Sequence, residues 1–468
     1  MKDIKTEASV DLSKVEFGAK RLFFDHGHTR SAGFRKSKLK ALAEGIKTHE
    51  PFIYEALLSD LGKGQAESYI TEISLIQEEI KLALSHLDDW MKVERRPTPI
   101  VLHPSSSHVV HEPKGVVLII APWNYPLLLA LVPLVSAIAA GNCAVIKPSE
   151  EAPAAAAVIE RLLSDVFSSD YVSVVQGLGH EVVPSMLRTF TFNHIFFTGS
   201  PAVGSLIARE AAAKLSPITL ELGGKSPGIV DKDANLKVAA RRLVFGKFTN
   251  AGQTCVAPDY LLLHASIKDA FIAEARKALV EFYGQDPSQS ADYGRMVNAK
   301  RFHAVSAFLA DGETVHGGQS NASELYIAPT ILDEVALDSA VMGEEIFGPV
   351  WPVITWSERN EILEITRRMR YPLACYVFTQ SKSLEKFVLE NVEFGGGCVN
   401  NAVVQFANHD LPFGGIQGSG SGNYHGWHGF ATFSHTKSIM RTATWLDPKL
   451  KYPPFGKFKL KWIKKLLG

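Results

Sequence analysis

The chain is predicted to fold as an α/β protein of two lobes, each built on an open, parallel-rich sheet, with a small additional arm. Three observations lead there. From Gly115 to Lys214 short apolar runs alternate with helical stretches, and a second alternating section runs from Ile218 to about Val399. The run Val116-Val117-Leu118-Ile119-Ile120 is apolar at every position, as a parallel strand buried on both faces must be. The length of 468 residues exceeds the size at which one core keeps growing, which fits two lobes. Open sheets of this kind bind ligands beyond the carboxyl ends of their strands.

The amino-terminal part reads as helices. Leu39, Leu42, Ala43 and Ile46 share one face, with Lys36, Lys38, Lys40 and Lys47 around them, and Ile70, Ile73, Ile76, Ile80 and Leu84 form a second stripe. Both are packing faces. Arg95-Arg96-Pro97-Thr98-Pro99 ends the helical run, and residues 101–110 look extended, either as a local hairpin or as an arm reaching another subunit. In the first alternating section strands are expected at 116–120, 144–146, 172–175 and 194–197. Helices are expected at 127–140, stopped by Gly141, at 152–163 and at 201–214. In the second section strands are expected at 228–230, 260–263 and 373–378, and a helix between Asn235 and Phe248, its end reaching near Gly252, carries the chain toward Cys255. The stretch from Phe394 to Gly429, rich in Gly and Asn, is expected to run over the surface and the cleft instead of building core.

The 49 basic side chains match the 49 acidic ones, so no global charge favours nucleic acid or an acidic partner. Cys143, Cys255, Cys375 and Cys398 lie far apart without a CxxC pair, which points away from zinc and disulfides and toward a reducing compartment. Met1-Lys2-Asp3-Ile4-Lys5-Thr6-Glu7 alternates charge and lacks the apolar run of a signal peptide. No stretch reaches the roughly 18 apolar residues of a spanning helix. A soluble, cytoplasmic body is expected.

The stretch Gln253-Thr254-Cys255-Val256-Ala257-Pro258 holds a cysteine among small, uncharged residues, suited to a nucleophilic thiolate if the fold brings a carboxylate to it. A buried small hydrophobe is the ordinary reading of a lone cysteine. Glu221, in Leu220-Glu221-Leu222-Gly223-Gly224-Lys225, is the candidate carboxylate, acting on a water. Pro122-Trp123-Asn124-Tyr125-Pro126 follows the first strand of the sheet, where the Asn124 amide is either an oxyanion donor on a stiffened loop or a turn former. Lys147-Pro148-Ser149-Glu150 lies just past the second strand. Its charged pair can hydrogen-bond ribose hydroxyls, with the carboxylate disfavouring the extra phosphate of NADP, or can simply start a helix. Ser200-Pro201 is a good helix start whose amides face an anion, and Gly199 and Gly204 let a pyrophosphate approach. The spacing is neither GxGxxG nor a Walker loop, since Ser205-Leu206 stands where Lys-Ser/Thr would be.

Taken together and in order, Pro-Trp-Asn, Lys-Pro-Ser-Glu, Phe-Thr-Gly-Ser, Glu-Leu-Gly-Gly-Lys-Ser-Pro, Gly-Gln-Thr-Cys and Glu-Glu-Ile-Phe-Gly-Pro resemble the aldehyde dehydrogenase superfamily along nearly the whole chain. Finer features are similar to its class 3 and fatty aldehyde branch. Val256-Ala257-Pro258-Asp259-Tyr260 follows the cysteine, and Leu411-Pro412-Phe413-Gly414-Gly415 leads to Tyr424-His425-Gly426 and Phe433-Ser434-His435. Gly418-Ser419-Gly420-Ser421-Gly422 departs from that pattern in being richer in glycine.

The resemblance implies NAD-dependent oxidation, with NADP as a possible cofactor, of a medium or long aliphatic, or aromatic, aldehyde to its acid. Cys255 would attack the aldehyde, Asn124 and the Cys255 amide would hold the oxyanion, hydride would pass to the nicotinamide, and Glu221 would activate the water that hydrolyses the thioester. Lys147 and Glu150 would take the adenosine ribose, Gly199, Ser200 and Gly204 the pyrophosphate region, Glu345 the nicotinamide ribose, and Phe347 would pack near the ring, with Trp123 and Leu222 as further cofactor contacts. No metal is implied. Residues 1–90 and 108–220 would form a Rossmann-like NAD(P)-binding domain and 221–398 the catalytic domain. Residues 91–107 and 399–445 would make oligomerisation segments of a homodimer.

Residues 446–468 form a lysine-rich tail in which Phe458, Trp462, Ile463, Leu466 and Leu467 can share one helical face. It is too short to span a bilayer. It could lie on an anionic membrane, cap a cleft for long apolar aldehydes, dock on a partner subunit or fray. Two rival functions are weaker. An acylating or acyl-phosphate-linked reductase needs no hydrolytic base, so Glu221 argues against it, and a catalytically silent scaffold would not need Cys255 and Asn124.

Overall fold

A computed structural model describes residues 15–467, so the reading of Met1 to Glu7 lies outside the described residues. The chain is α/β, with open, parallel-rich sheets. In the first, the central strand Val116–Ile120 has Cys143–Lys147 and Val172–Val174 on one side and His194–Gly199 and Ile218–Leu222 on the other, all parallel. Gly420–Ser421 adds an antiparallel edge. Every residue of Val116–Ile120 and Cys143–Lys147 is buried, which is why these strands show no alternation. The helix Pro126–Ala140, also buried throughout, covers them and ends where Gly141 turns left-handed at φ 91°. The chain builds outward from the central strand in one direction, then restarts on its other side at His194–Gly199. That reversal opens a crevice at the carboxyl ends, between the loop after Ile120 and Thr198-Gly199-Ser200.

The second sheet runs Glu313–His316, Thr330–Asp333, Val350–Trp356, Tyr260–His264, Pro227–Val230, Ala374–Phe378, Gly396–Val399. All neighbours are parallel except the first pair. A third, antiparallel sheet joins Glu94–Arg96, Ser105–Pro113 and Ser434–Thr442. Among the described residues no helix is long and apolar enough to cross a membrane.

Several local expectations change. Ile218–Leu222 opens the second alternating section in the sequence, yet it pairs with His194–Gly199 and belongs to the first sheet. Residues 101–110 are not extended throughout, because the single turn Ile100–Leu102 precedes the strand that starts at Ser105. Ile70 is exposed, although Ile73, Ile76 and Ile80 are buried. Tyr69–Ile73 is a π-helical turn, and its extra residue rotates earlier positions off the packing stripe. The stretch from Phe394 to Gly429 does build structure at two points: Gly396–Val399 extends the second sheet and Gly420–Ser421 edges the first. The helix leading to the cysteine is Leu236–Phe248, started by Asn235, whose side chain accepts from the Val238 amide at 3.2 Å. It stops at Phe248, as expected, and does not reach Gly252, because Asn250, Ala251 and Gly252 have φ of 54°, 50° and 76°.

Candidate active site

Those left-handed residues turn the chain sharply into Cys255. The conformation costs a non-glycine residue about 1 kcal/mol or more, so the surroundings must enforce it. The Asn250 amide donates to Glu67 Oε1 at 2.7 Å, and the Asn250 side chain donates to the Asn124 carbonyl at 2.8 Å. Gln253 then ties the next turn down. Its carboxamide donates to the carbonyls of Asn250 at 3.0 Å and Arg295 at 2.9 Å and accepts from the Val297 amide at 3.0 Å. The backbone amides of Cys255 and Val256 donate toward the sulfur. Burial outweighs them and pushes the thiol up to about 12, and the neighbouring carboxylates Glu345 and Glu221 add to the rise.

Asn124 is 2% exposed. Its Nδ2 donates to the Gln253 carbonyl at 3.0 Å, which leaves the second amide hydrogen for another acceptor. A buried ion pair holds its loop. Lys63 Nζ lies 2.7 Å from Glu72 Oε1 and 3.3 Å from the Asn124 carbonyl, while Glu72 Oε2 accepts the amides of Leu127 and Leu128 at 2.9 and 3.2 Å. Glu72 thus caps the helix Pro126–Ala140 as it anchors the loop before it. Breaking one partner of such a pair typically costs about 3–5 kcal/mol. Sequence reasoning missed Lys63, Glu72 and Asn250, whose local context carries no signal; their bonds to the Asn124 loop and the helix after it span 55 to 126 positions.

Glu221 sits on Ile218–Leu222, opposite Thr198 on one neighbouring strand and Gly420 on the other. It is 2% exposed and neither carboxyl oxygen has a hydrogen-bond partner among the described residues. Burial holds its carboxyl well above the usual range. The folded group therefore keeps its proton to higher pH than the unfolded one at 4.5, and wild type loses stability as pH rises from about 4.5 through the folded value. Glu221→Gln has no proton to lose. Its melting temperature relative to wild type is expected to rise across that range; a difference that stays flat with pH would mean that the carboxyl is not buried in solution.

Along the crevice, Lys147 Nζ, almost fully buried, contacts Glu150 Oε2, and Glu150 Oε1 accepts the Gly179 amide at 2.6 Å. Burial would raise the Glu150 carboxyl, but Lys147 and the amides hold it below its ordinary value. Ser200 caps the helix Pro201–Ala213. Gly199 ends the adjoining strand and Gly204 lies within the helix, where a Cβ would meet Leu222 at 2.7 Å, so that glycine serves close helix-to-strand packing. Near the sulfur, a side chain on Gly223 would overlap the Glu345 carboxylate. Burial and Asp259 push Glu345 up to about 8 against the pull of the Gly224 amide, Lys225 and Arg301. Phe347, at φ 51°, meets Trp123 edge-on with ring centroids 5.3 Å apart. Lys225, quoted in the sequence without a role, fixes this loop: Nζ donates to Asp259 at 2.6 Å and to the carbonyls of Val341 and Glu344 at 2.6 and 2.9 Å.

Cys255 also lines a small pocket, partly open to solvent, whose walls include Leu75, Leu128, Leu129, Phe406 and Phe413. The structure thus brings Glu221 and Glu345 close enough to raise the Cys255 thiol, with Asn124 hydrogen-bonded to the residue two before the sulfur. Lys147, Glu150, Ser200 and Gly204 lie farther along the sheet edge.

A parallel sheet with a crevice at its point of reversal, next to a cysteine that faces an apolar pocket, is the build of a nucleotide-dependent oxidoreductase. Residues 17–439 match the aldehyde dehydrogenase family; the chain belongs to it and is an NAD(P)-dependent enzyme that oxidises aldehydes. It is 46% identical over 453 residues to 4,4'-diaponeurosporen-aldehyde dehydrogenase of Staphylococcus aureus, covering 96% of this chain and 98% of that one. Aldehyde dehydrogenase family 3 member H1 of Arabidopsis thaliana is 43% identical, over 96% and 93% of the two chains. The substrate-bound structure of Staphylococcus aureus AldH superposes with a TM-score of 0.95 at 44% identity, over 98% of this chain and 100% of that one. More distant structures carry nucleotide. One is Methanocaldococcus jannaschii GapN with NADP, 28% identical with a TM-score of 0.82 over 92% and 94% of the chains. Another is Pseudomonas syringae AldA with NAD, 28% identical with a TM-score of 0.82 over 92% and 88%.

Proposed function

We propose that Cys255, Glu221 and Asn124 carry out the oxidation and that the substrate is a medium or long aliphatic, or aromatic, aldehyde. The observation behind this reading is that the cysteine lines an apolar pocket while a carboxyl without partners lies beside it. The Cys255 thiolate adds to the aldehyde carbon, and the oxygen becomes an oxyanion held by the free Asn124 amide hydrogen and the Cys255 backbone amide. NAD(P), when bound, supplies the hydride acceptor. The acyl group is then a thioester on Cys255. Glu221 takes a proton from a water that attacks the thioester carbon, releasing the carboxylic acid and freeing the sulfur.

The crevice fits the cofactor. The Ser200-capped helix presents free amides suited to phosphate, Lys147 and Glu150 offer a donor and an acceptor to ribose hydroxyls, and Glu345 with Phe347 and Trp123 flanks the sulfur side. Leu222 and Gly204 support that wall from within. Formation of reduced nicotinamide across an aldehyde chain-length series, with NAD and with NADP, tests the reading; absence of turnover with every aldehyde would refute it. Asn124→Ala is expected to lower kcat by roughly 10²–10³, the usual effect of removing one oxyanion donor. An unchanged kcat would remove Asn124 from the mechanism.

The proposal extends to assembly and location. Residues 1–90 and 108–220 form the cofactor domain and 221–398 the catalytic domain of a cytoplasmic homodimer, with 91–107 and 399–445 bridging the subunits. Exposed Ile100, Val101, Leu102 and Met440 near the third sheet support an interface there. In the tail, the helix Lys457–Leu467 leaves Phe458, Trp462, Leu466 and Leu467 exposed among lysines, which suits an anionic membrane surface. The full chain is expected to pellet with anionic vesicles and a chain truncated after Pro454 to stay in solution; equal pelleting would sink the idea.

A further inference from the structure

The wall of the pocket that Cys255 lines carries two histidines besides the hydroxyl-bearing Thr71, Tyr125, Thr254 and Tyr424. His409 and His425 stand side by side there, ring centroids 5.1 Å apart, with Phe413 stacked on His425 at 5.3 Å. Both are shielded from solvent, and each has a ring nitrogen, His409 Nε2 and His425 Nδ1, with no hydrogen-bond partner among the described residues. A buried nitrogen left unpaired is destabilising, so two in one pocket wall need an explanation.

Packing alone does not supply it. Glu79, 1% exposed, holds both histidines at once: one carboxylate oxygen contacts His409 Nδ1 and the other accepts the Gly426 amide at 2.8 Å, next to His425. His425 is kept at φ 77°, a conformation rare for its residue type, and Gly426 follows at φ 49°. A buried anchor and a left-handed backbone thus fix the orientation of two imidazoles, each with one ring nitrogen unused. Backbone strain of this kind gathers at ligand sites.

The chemistry of the pair sets what it can recognise. With Nδ1–H donated to Glu79, His409 presents Nε2 as an acceptor. His425 is neutral, because burial and then His409 push it down to about 3, so its ring carries one N–H and one lone pair. A hydroxyl can donate to one imidazole and accept from the other.

We propose that His409 and His425 form a polar subsite that selects aldehydes bearing a hydroxyl away from the aldehyde group, within an otherwise apolar chain. This rests on the proposed oxidation at Cys255 and names the substrate class of that site. The test compares kcat/KM for matched pairs, an n-alkanal against the hydroxyalkanal of the same length, over a series of hydroxyl positions. At the best position wild type is expected to favour the hydroxylated member by about tenfold, the worth of one or two neutral hydrogen bonds. In His409→Leu that ratio is expected to fall toward one and in His409→Gln, which keeps an acceptor, to recover in part. If the leucine variant does not fold, His425→Asn serves, since asparagine tolerates the left-handed backbone. A wild-type ratio near one at every position, or a ratio unmoved in the variants, overturns the subsite while leaving aldehyde oxidation intact. Failure of wild type to oxidise any aldehyde overturns the oxidation reading, and the subsite with it.

Discussion

Cys255→Ala is expected to abolish aldehyde oxidation, with kcat falling by on the order of 10⁴ or more, as when the nucleophile of a covalent mechanism is removed. The reason is chemical: alanine offers no atom to bond the aldehyde carbon. Cys255 is partly buried against the core of the second sheet, and alanine keeps its Cβ while removing only the sulfur, so the variant is expected to fold. A second reading comes from pH. Since burial pushes the Cys255 thiol up to about 12, kcat/KM of wild type is expected to climb from neutral toward alkaline pH as the thiolate fraction grows. Full turnover by Cys255→Ala, measured as reduced nicotinamide, would refute covalent catalysis at this position.

Glu221→Gln is expected to release one equivalent of reduced nicotinamide per site and then stall, with steady-state kcat down by roughly 10²–10⁴. Glutamine keeps the shape of the side chain and removes only the ability to take a proton from water. The acyl group should therefore accumulate on Cys255, detectable as an added mass on the intact protein that hydroxylamine removes. Because both Glu221 oxygens lack partners, no hydrogen bond is lost in the exchange, and the defect reads out chemistry in place of folding. Steady turnover at the wild-type rate, without acyl accumulation, would assign deacylation to another group.

Much of this arrangement is legible in the chain. The unbroken apolar run Val116–Ile120 and the Ser200-Pro201 helix start are local patterns with local causes, and they fold as expected. What escapes is whatever depends on pairing at a distance. Gly396–Val399 is a strand only because Ala374–Phe378 lies beside it, for Gly-Gly-Cys-Val has no strand signal of its own. Ile218–Leu222 could have joined either sheet by sequence, and its choice puts Glu221 in the first.

The sequence by itself determined the α/β architecture, the order of the motifs and the residue types at Asn124, Glu221 and Cys255. Tertiary structure decided their state. Asn250 reaches Asn124 across 126 positions to hold the turn before the cysteine, and Glu79 reaches Gly426 across 347 to fix the histidine pair. Protonation of Glu221 and Cys255 follows from burial, and for Cys255 also from Glu345 and Glu221, because a group's charge depends on how much water and which neighbours the whole fold leaves around it.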